Sequence, residues 1–237
     1  MTIPDLRVQL FADGADVAGM VDMYRRPWIK GFTTNPTLMW KAGVTDYRKF
    51  ARDVLRAIPD RPISFEVFSD EFDEMARQAR EIASWGPNVN VKIPVTNTRG
   101  ESSSELIQQL SGEGISLNVT AVFTLDQVRE VVARLDRRTP AYVSVFAGRI
   151  ADTGRDPVPH MAAALALVHV HPKAQLVWAS PRELLNVFQA DGIGCDVITL
   201  TNDLLMKLPT CGKDLGQFSL ETVRMFRDDA LKAGYRL

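Results

Sequence analysis

The sequence predicts an α/β protein built as one (β/α)8 barrel with an additional C-terminal helix, a single domain over residues 1–237. Three observations lead there. Short apolar or β-branched runs alternate with amphipathic helical stretches, the pattern of a parallel sheet. Eight such runs occur, and eight β/α units take about 250 residues, close to the 237 present. No Gly/Ser linker, charge block or fixed-period repeat divides the chain. The nearest alternative, an open doubly wound sheet, fits less well. Its first strand-to-helix turn, "ADGADVAG", lacks the glycine spacing of a dinucleotide site, and no glycine-rich phosphate loop of the P-loop kind is present.

The strands follow in order. "VQLFAD" and "KGFTTN" open the chain, and "PISFEVF" supplies the third strand. The amphipathic "EFDEMARQAREIAS" leads to "VNVKIPV", and Ser102 to Ser104 open the next helix. "ISLNVTAVF" comes next. Thr124 then stands before the apolar-periodic "TLDQVREVVARLD", as a helix N-cap should. "PAYVSVF", the helical "HMAAALALVHV", "AQLVWAS" and "CDVITLT" complete the alternation. The pattern "SLETVRMFRDDALKAG", amphipathic from Ser219 to Ala233, is the additional helix, able to pack on its own barrel or on a neighbouring subunit; subunit contact is the expectation.

Composition excludes several functions. A net charge of -1 and a pI near 6.3 offer no basic footprint for nucleic acid. No apolar run approaches the roughly 20 residues of a membrane span, and Met1 to Leu10 lacks the apolar stretch of a signal peptide. Cys195 and Cys211 form no disulfide framework, which fits a reducing cytoplasm.

One residue in "VNVKIPV" is out of keeping with a buried strand. Lys92 sits among valines and isoleucine, where a lysine belongs only if it is paired or at work. Side chains alternate along a strand, so Val89, Val91 and Ile93 face the helices while Asn90 and Lys92 face the barrel axis. The same parity sends Ser64 and Glu66 inward, against Phe65 and Val67. It also sends Asn118 and Thr120 inward, against Leu117, Val119 and Ala121, and turns Ser144 and Phe146 to the axis. Ser180 falls on the side of Trp178, and Asp13 and Asn35 end the first two strands. A paired Lys92 alone would be a structural ion pair with Glu66 or Asp13. So many polar groups of one parity, near strand ends where this fold builds its active sites, point to catalysis.

The chemistry open to this set is narrow. An apolar cavity favours the neutral amine of a lysine, a nucleophile near neutral pH. A carboxylate and a hydroxyl beside it shuttle the protons that carbinolamine and iminium formation require. Metal chemistry lacks ligands: His160, His169 and His171 lie in one helical stretch, off every strand end, and His169 and His171 fall on different helix faces. A Ser-His-Asp triad fails for want of a placed histidine. No metal and no cofactor is expected.

"GFTTNPT", "VKIPVT", "LNVTAVFT", "SVFAGRI" and "WASPR", in this order and spacing, resemble the transaldolase family of class I aldolases, over Asp13 to Arg182. The resemblance implies a (β/α)8 barrel that forms a Schiff base with a ketose phosphate, releases an aldose phosphate, and passes the retained dihydroxyacetone unit to another aldose phosphate. It implies Lys92 as the Schiff-base lysine. Glu66, acting through a water and Thr120, would handle protons of imine chemistry, and Asp13 the proton of the aldose hydroxyl. Asn35, Asn118 and Ser144 would hold the dihydroxyacetone hydroxyls, with Arg149, Ser180 and Arg182 as the phosphate clamp, a role arginine forks suit. Three positions depart from the family's usual residues: Gly14 for a threonine, Val145 for a proline and Pro181 for an aromatic.

Related enzymes of the same family cleave fructose 6-phosphate to free dihydroxyacetone. They carry a glutamine in place of the third-strand acid and a tyrosine near Phe146, so Glu66 and Phe146 resemble the transferring enzymes. A non-catalytic sugar-phosphate-binding protein is the alternative from another class. It has no need of a nucleophile with acid and base beside it. The resemblance further implies a cytoplasmic homo-oligomer acting in the pentose phosphate pathway.

Overall fold

A computed structural model describes residues 6–236. Met1–Asp5 and Leu237, the ends of the expected domain and part of the stretch read as leader-free, lie outside the described residues. The strands are β1 (Gln9–Asp13), β2 (Ile29–Thr33), β3 (Ile63–Glu66), β4 (Val89–Pro94), β5 (Leu117–Val122), β6 (Ala141–Val145), β7 (Ala174–Trp178) and β8 (Val197–Thr201). Each pairs in parallel with the next, and β1 pairs with β8, so the barrel closes in chain order. Every predicted run holds a strand.

Helices α1 (Val17–Tyr24), α2 (Pro36–Lys41), α3 (Tyr47–Ala57), α4 (Phe72–Ala83), α5 (Ser104–Gly112) and α6 (Leu125–Arg134) fill the first five crossovers. Then come α7 (Ala147–Ala151), α8 (Pro157–Val168), α9 (Leu185–Gly192), α10 (Asn202–Leu205) and α11 (Leu215–Lys232). Their starts have local causes. The Thr124 hydroxyl accepts from the Gln127 N–H at 3.2 Å, and Gln127 Oε1 accepts from the Thr124 N–H at 3.0 Å, a reciprocal capping box. Asp16 and Asp46 cap α1 and α3 with side-chain acceptors.

Two layers of core result. Between strands and helices lie Phe32, Ile63, Phe65, Val91, Ile93, Val119 and Trp178, all fully buried. Inside the barrel, Phe11, Val177 and Val197 form a smaller cluster with Tyr142 against it. A Cβ on Gly31 would lie 2.5 Å from the Phe11 ring, so the second strand must be bare where that ring crosses it.

Parity fails at two places. Trp178 packs outward with the helices, whereas Val177 is the interior residue of β7. Ser180 nevertheless reaches the barrel mouth because its backbone is left-handed, φ 59°. Ala121, expected to face the helices, opens onto the mouth instead: φ is 58° and the β5–β6 register shifts between Val119 and Val122. The short helices α2, α7 and α10 follow their strands within a few residues, too short for hydrophobic periodicity to reveal. The C-terminal helix begins at Leu215 rather than Ser219, because Asp214 caps it by accepting from the Gln217 N–H at 2.8 Å.

Candidate active site

A cavity of about 500 Å³ opens at the C-terminal end of the barrel. Asp13, Asn35, Glu66, Lys92, Thr120, Ser144, Arg149, Ser180 and Arg182, nine of the ten expected site residues, all line it.

Lys92 stands at its base. Cα register pairs Lys92 with Glu66 on one side and with Asn118 on the other. The ammonium lies 2.9 Å from Glu66 Oε2 and donates to the Thr34 carbonyl at 2.7 Å. The surroundings are therefore polar, not the apolar cavity expected, because the Glu66 carboxylate and the Thr34 carbonyl both meet the amine. The pair is shielded, with side chains 8% and 17% exposed, so its attraction is weakly screened. The Tyr47 hydroxyl donates to the Glu66 carbonyl at 2.9 Å and ties the end of β3 to α3.

Asp13 ends β1 at the rim. Thr33 donates its hydroxyl to Asp13 Oδ1 at 2.8 Å, and the Asn35 amide reaches Oδ2 at 3.4 Å. The Thr33 and Thr199 hydroxyls bond to each other at 2.5 Å, extending the chain across β8. Burial raises the Asp13 pKa above the ordinary carboxylate range; the Lys92 charge and the Thr33 hydrogen bond oppose that shift without cancelling it. The Asn35 carbonyl also caps α2, accepting from the Leu38 N–H at 2.9 Å, so one amide serves both helix and acid.

Asn118 is the exception among the ten. It does not line the cavity but lies one layer deeper, 1% exposed, donating to Ser64 Oγ at 3.0 Å and accepting from the Ser144 hydroxyl at 2.7 Å. Its contact with the mouth is thus through Ser144. Asn90 points the other way along the axis, into a separate cavity of about 250 Å³ with Tyr142 and Gln175.

The two arginines follow successive strands, Arg149 on α7 after β6 and Arg182 on the loop after β7. Arg149, on α7, stands over the Phe146 ring at 5.8 Å from its centroid, and Phe146 in turn packs on Phe123. Arg182 is anchored by Asp152, its Nε donating to Oδ1 at 2.9 Å and Nη2 bonding Oδ2. A Cβ on Gly148 would lie 1.6 Å from the Ser180 carbonyl oxygen, so this glycine lets α7 abut the Ser180 turn. Of the three departures, Pro181 alone lines the cavity, while Val145 is fully buried in the outer core.

Sequence reasoning missed Thr33, Thr199 and Thr201, which also line the cavity. Their signal was available: Thr33 sits two residues beyond Gly31, and Thr199 two beyond Val197, on the inward face. Asp152 had no such signal, since it follows α7 and meets Arg182, 30 residues on, only in three dimensions. The histidines stay apart from the cavity; His169 Nε2 lies 3.0 Å from Asp196 Oδ2. Among the described residues no group of three His, Cys, Asp or Glu could hold a metal ion.

Known proteins resemble this chain over most of its length. A probable transaldolase of Dehalococcoides mccartyi is 32% identical over 202 residues, covering 85% of this chain and 90% of that protein. A probable transaldolase of Thermoanaerobacter sp. is 31% identical over 233 residues, 97% of this chain and 100% of the relative. Among solved structures, an HpcH/Hpal aldolase/citrate lyase family protein from Burkholderia cenocepacia superposes with a TM-score of 0.60 over 92% of this chain and 95% of that one. At 12% identity it speaks for the barrel fold alone. The family model described as transaldolase/fructose-6-phosphate aldolase matches residues 10–235, and the chain belongs to that family.

Proposed function

We propose that this chain is a metal-independent transaldolase, moving a dihydroxyacetone unit from fructose 6-phosphate or sedoheptulose 7-phosphate to an aldose phosphate, as in the pentose phosphate pathway. The observation that carries the reading is Lys92 in a cavity of about 500 Å³, with Glu66 at 2.9 Å and Asp13 lining the same cavity. Family membership and the transaldolase relatives support it.

The steps follow from these neighbours. A proton passes from Lys92 to Glu66, and the freed amine adds to the ketose C2 carbonyl. Glu66, with a water and Thr120, moves the protons that let the carbinolamine lose water to an iminium. Asp13 takes the proton of the C4 hydroxyl. The C3–C4 bond breaks, its electron pair passes to the iminium as an enamine, and the aldose phosphate leaves. The acceptor's carbonyl carbon is then attacked by C3, Asp13 returns its proton to the new alkoxide, and water releases the ketose. Burial that raises the pKa of Asp13 suits a group that must both take and give a proton. Asn35 and Ser144 bind the dihydroxyacetone hydroxyls, with Asn118 holding Ser144 in place. Arg149, Ser180 and Arg182 bind the phosphate.

The chain acts as a single barrel domain in the cytoplasm, a reading in keeping with two free cysteines. No helix among the described residues is long and apolar enough to cross a membrane. It works as a homo-oligomer: α11 buries none of its residues, and Phe218, Val223, Met225, Phe226 and Leu231 stand exposed along it. Light scattering checks the oligomer.

A coupled assay of transfer from fructose 6-phosphate to erythrose 4-phosphate, beside an assay for free dihydroxyacetone, tests the reaction. Transfer exceeding release is the expected result. Free dihydroxyacetone as the main product would make the chain an aldolase, and binding without either product would make it a sugar-phosphate-binding protein.

A further inference from the structure

Arg182 is held at three levels. The Asn186 side-chain oxygen accepts from the Arg182 N–H at 2.8 Å and from the Glu183 N–H at 3.1 Å, which fixes the backbone of the β7–α9 loop. The stem passes over Gly148, where a Cβ would lie 3.4 Å from Arg182 Cγ. Among the described residues the head is bound by Asp152 alone, through Nε and Nη2. Asp152 in turn is fixed at the end of α7, its N–H donating to the Gly148 carbonyl at 3.0 Å. The hydrogen bonds from Arg182, with the Arg149 charge adding to them, hold Asp152 below the ordinary carboxylate range.

We infer that Asp152 is a positioning residue for phosphate recognition: its carboxylate binds one edge of the Arg182 guanidinium, so that the other edge is the one offered to an anionic group in the cavity. A guanidinium has five N–H donors in a rigid fork, and two are taken here, leaving three for phosphate oxygens. A half-exposed arginine without this partner samples many orientations, and the ligand must then bear the cost of ordering it. Asp152 touches neither sugar nor reacting carbon in this scheme. It acts through Arg182, and the inference rests on the phosphate-clamp reading above.

The test is a double-mutant cycle of Asp152→Ala and Arg182→Ala, assayed with fructose 6-phosphate and with unphosphorylated fructose as donors, each with glyceraldehyde as an unphosphorylated acceptor. Exposed ion pairs of this kind are worth a roughly two- to fivefold change. Asp152→Ala is expected to raise KM for fructose 6-phosphate by about that factor, more than it lowers kcat, and to leave turnover of unphosphorylated fructose far less affected. Asp152→Glu should recover part of the loss, and in the Arg182→Ala background Asp152→Ala should add nothing further. The same cycle read by calorimetric titration with inorganic phosphate needs no turnover, so an inactive wild-type protein would refute the functional reading while leaving this inference tested. An undiminished effect of Asp152→Ala in the Arg182→Ala background would overturn it. So would tighter phosphate binding by Asp152→Ala, which would make the carboxylate a competitor of the ligand.

Discussion

Two layers of the barrel interior are built from the same strands and differ in chemistry. Toward the N-terminal end Phe11, Val177 and Val197 pack together with Tyr142 over bare Gly31. Two residues further along those strands stand Asp13, Thr33, Ser144 and Thr199, and beside them Glu66 and Lys92. The first layer is an apolar plug whose shape is fixed by one ring against one glycine. The second is a hydrogen-bonded polar set that contributes less to folding than an apolar layer would, because each group gave up water to be there. The lower layer stabilises the barrel so that the upper one is free to hold reactive groups in a fixed geometry.

Removing the lysine has the largest expected effect. Lys92→Met should abolish turnover, and it leaves the Glu66 carboxylate without its counter-charge in a shielded site. A stability loss of about 3 kcal/mol follows, as for one-sided removal of a buried pair. Lys92→Met with Glu66→Gln should recover most of it. Denaturant unfolding of the two variants checks this; equal stability would mean the pair is already solvated.

Phe11→Ala attacks the plug instead. It should lower stability by about 3–5 kcal/mol, through lost burial and an unfilled space over Gly31. Active-site occupancy, measured by adduct formation at a temperature where the variant is folded, should stay near that of the parent. A variant that unfolds no earlier would show that the plug is not the stabilising layer.

The strand pattern and inward parity of Lys92, Glu66, Thr120 and Ser144 were legible because alternation is a local property of extended chain. It held for as long as the strand stayed regular. Ala121 and Ser180 have left-handed backbones, and parity cannot be carried across such a residue in either direction. That is why Trp178 was assigned inward and Ala121 outward. Asn118 had the right parity and the wrong depth, since a periodic pattern carries no information on how far along the axis a cavity reaches. Asp152 was invisible for another reason. Its partner lies 30 residues away on a different loop, and only packing of α7 against the Ser180 turn joins them.

Arg182→Ala probes the rim, where a charge-assisted contact is worth about 1.5–3 kcal/mol. KM for phosphorylated ketoses should rise roughly tenfold to a hundredfold, with little change for unphosphorylated fructose. Equal losses on both would remove the arginine from phosphate recognition.

Asp13→Asn should give the smallest effect on stability and a diagnostic pH dependence. Burial raises the pKa of Asp13 above its ordinary 3.8, so folding favours the protonated acid. Stability tied to this group is present below pH 3.8 and is lost as pH rises through the folded-state value. The asparagine variant should therefore melt higher than the parent at neutral pH, by about 2–4 °C per kcal/mol, and its advantage should shrink toward pH 3.8. An advantage independent of pH would rule out Asp13 ionisation as the cause.

The central claim is that the one lysine of the polar layer forms a covalent imine with a ketose. The direct measurement is borohydride reduction of the protein with fructose 6-phosphate, followed by mass spectrometry of the digested chain. A sugar-derived mass on the peptide containing Lys92, and its absence from Lys92→Met, is the result this account predicts. An adduct on any other lysine, or none on a protein that still transfers dihydroxyacetone, would contradict it.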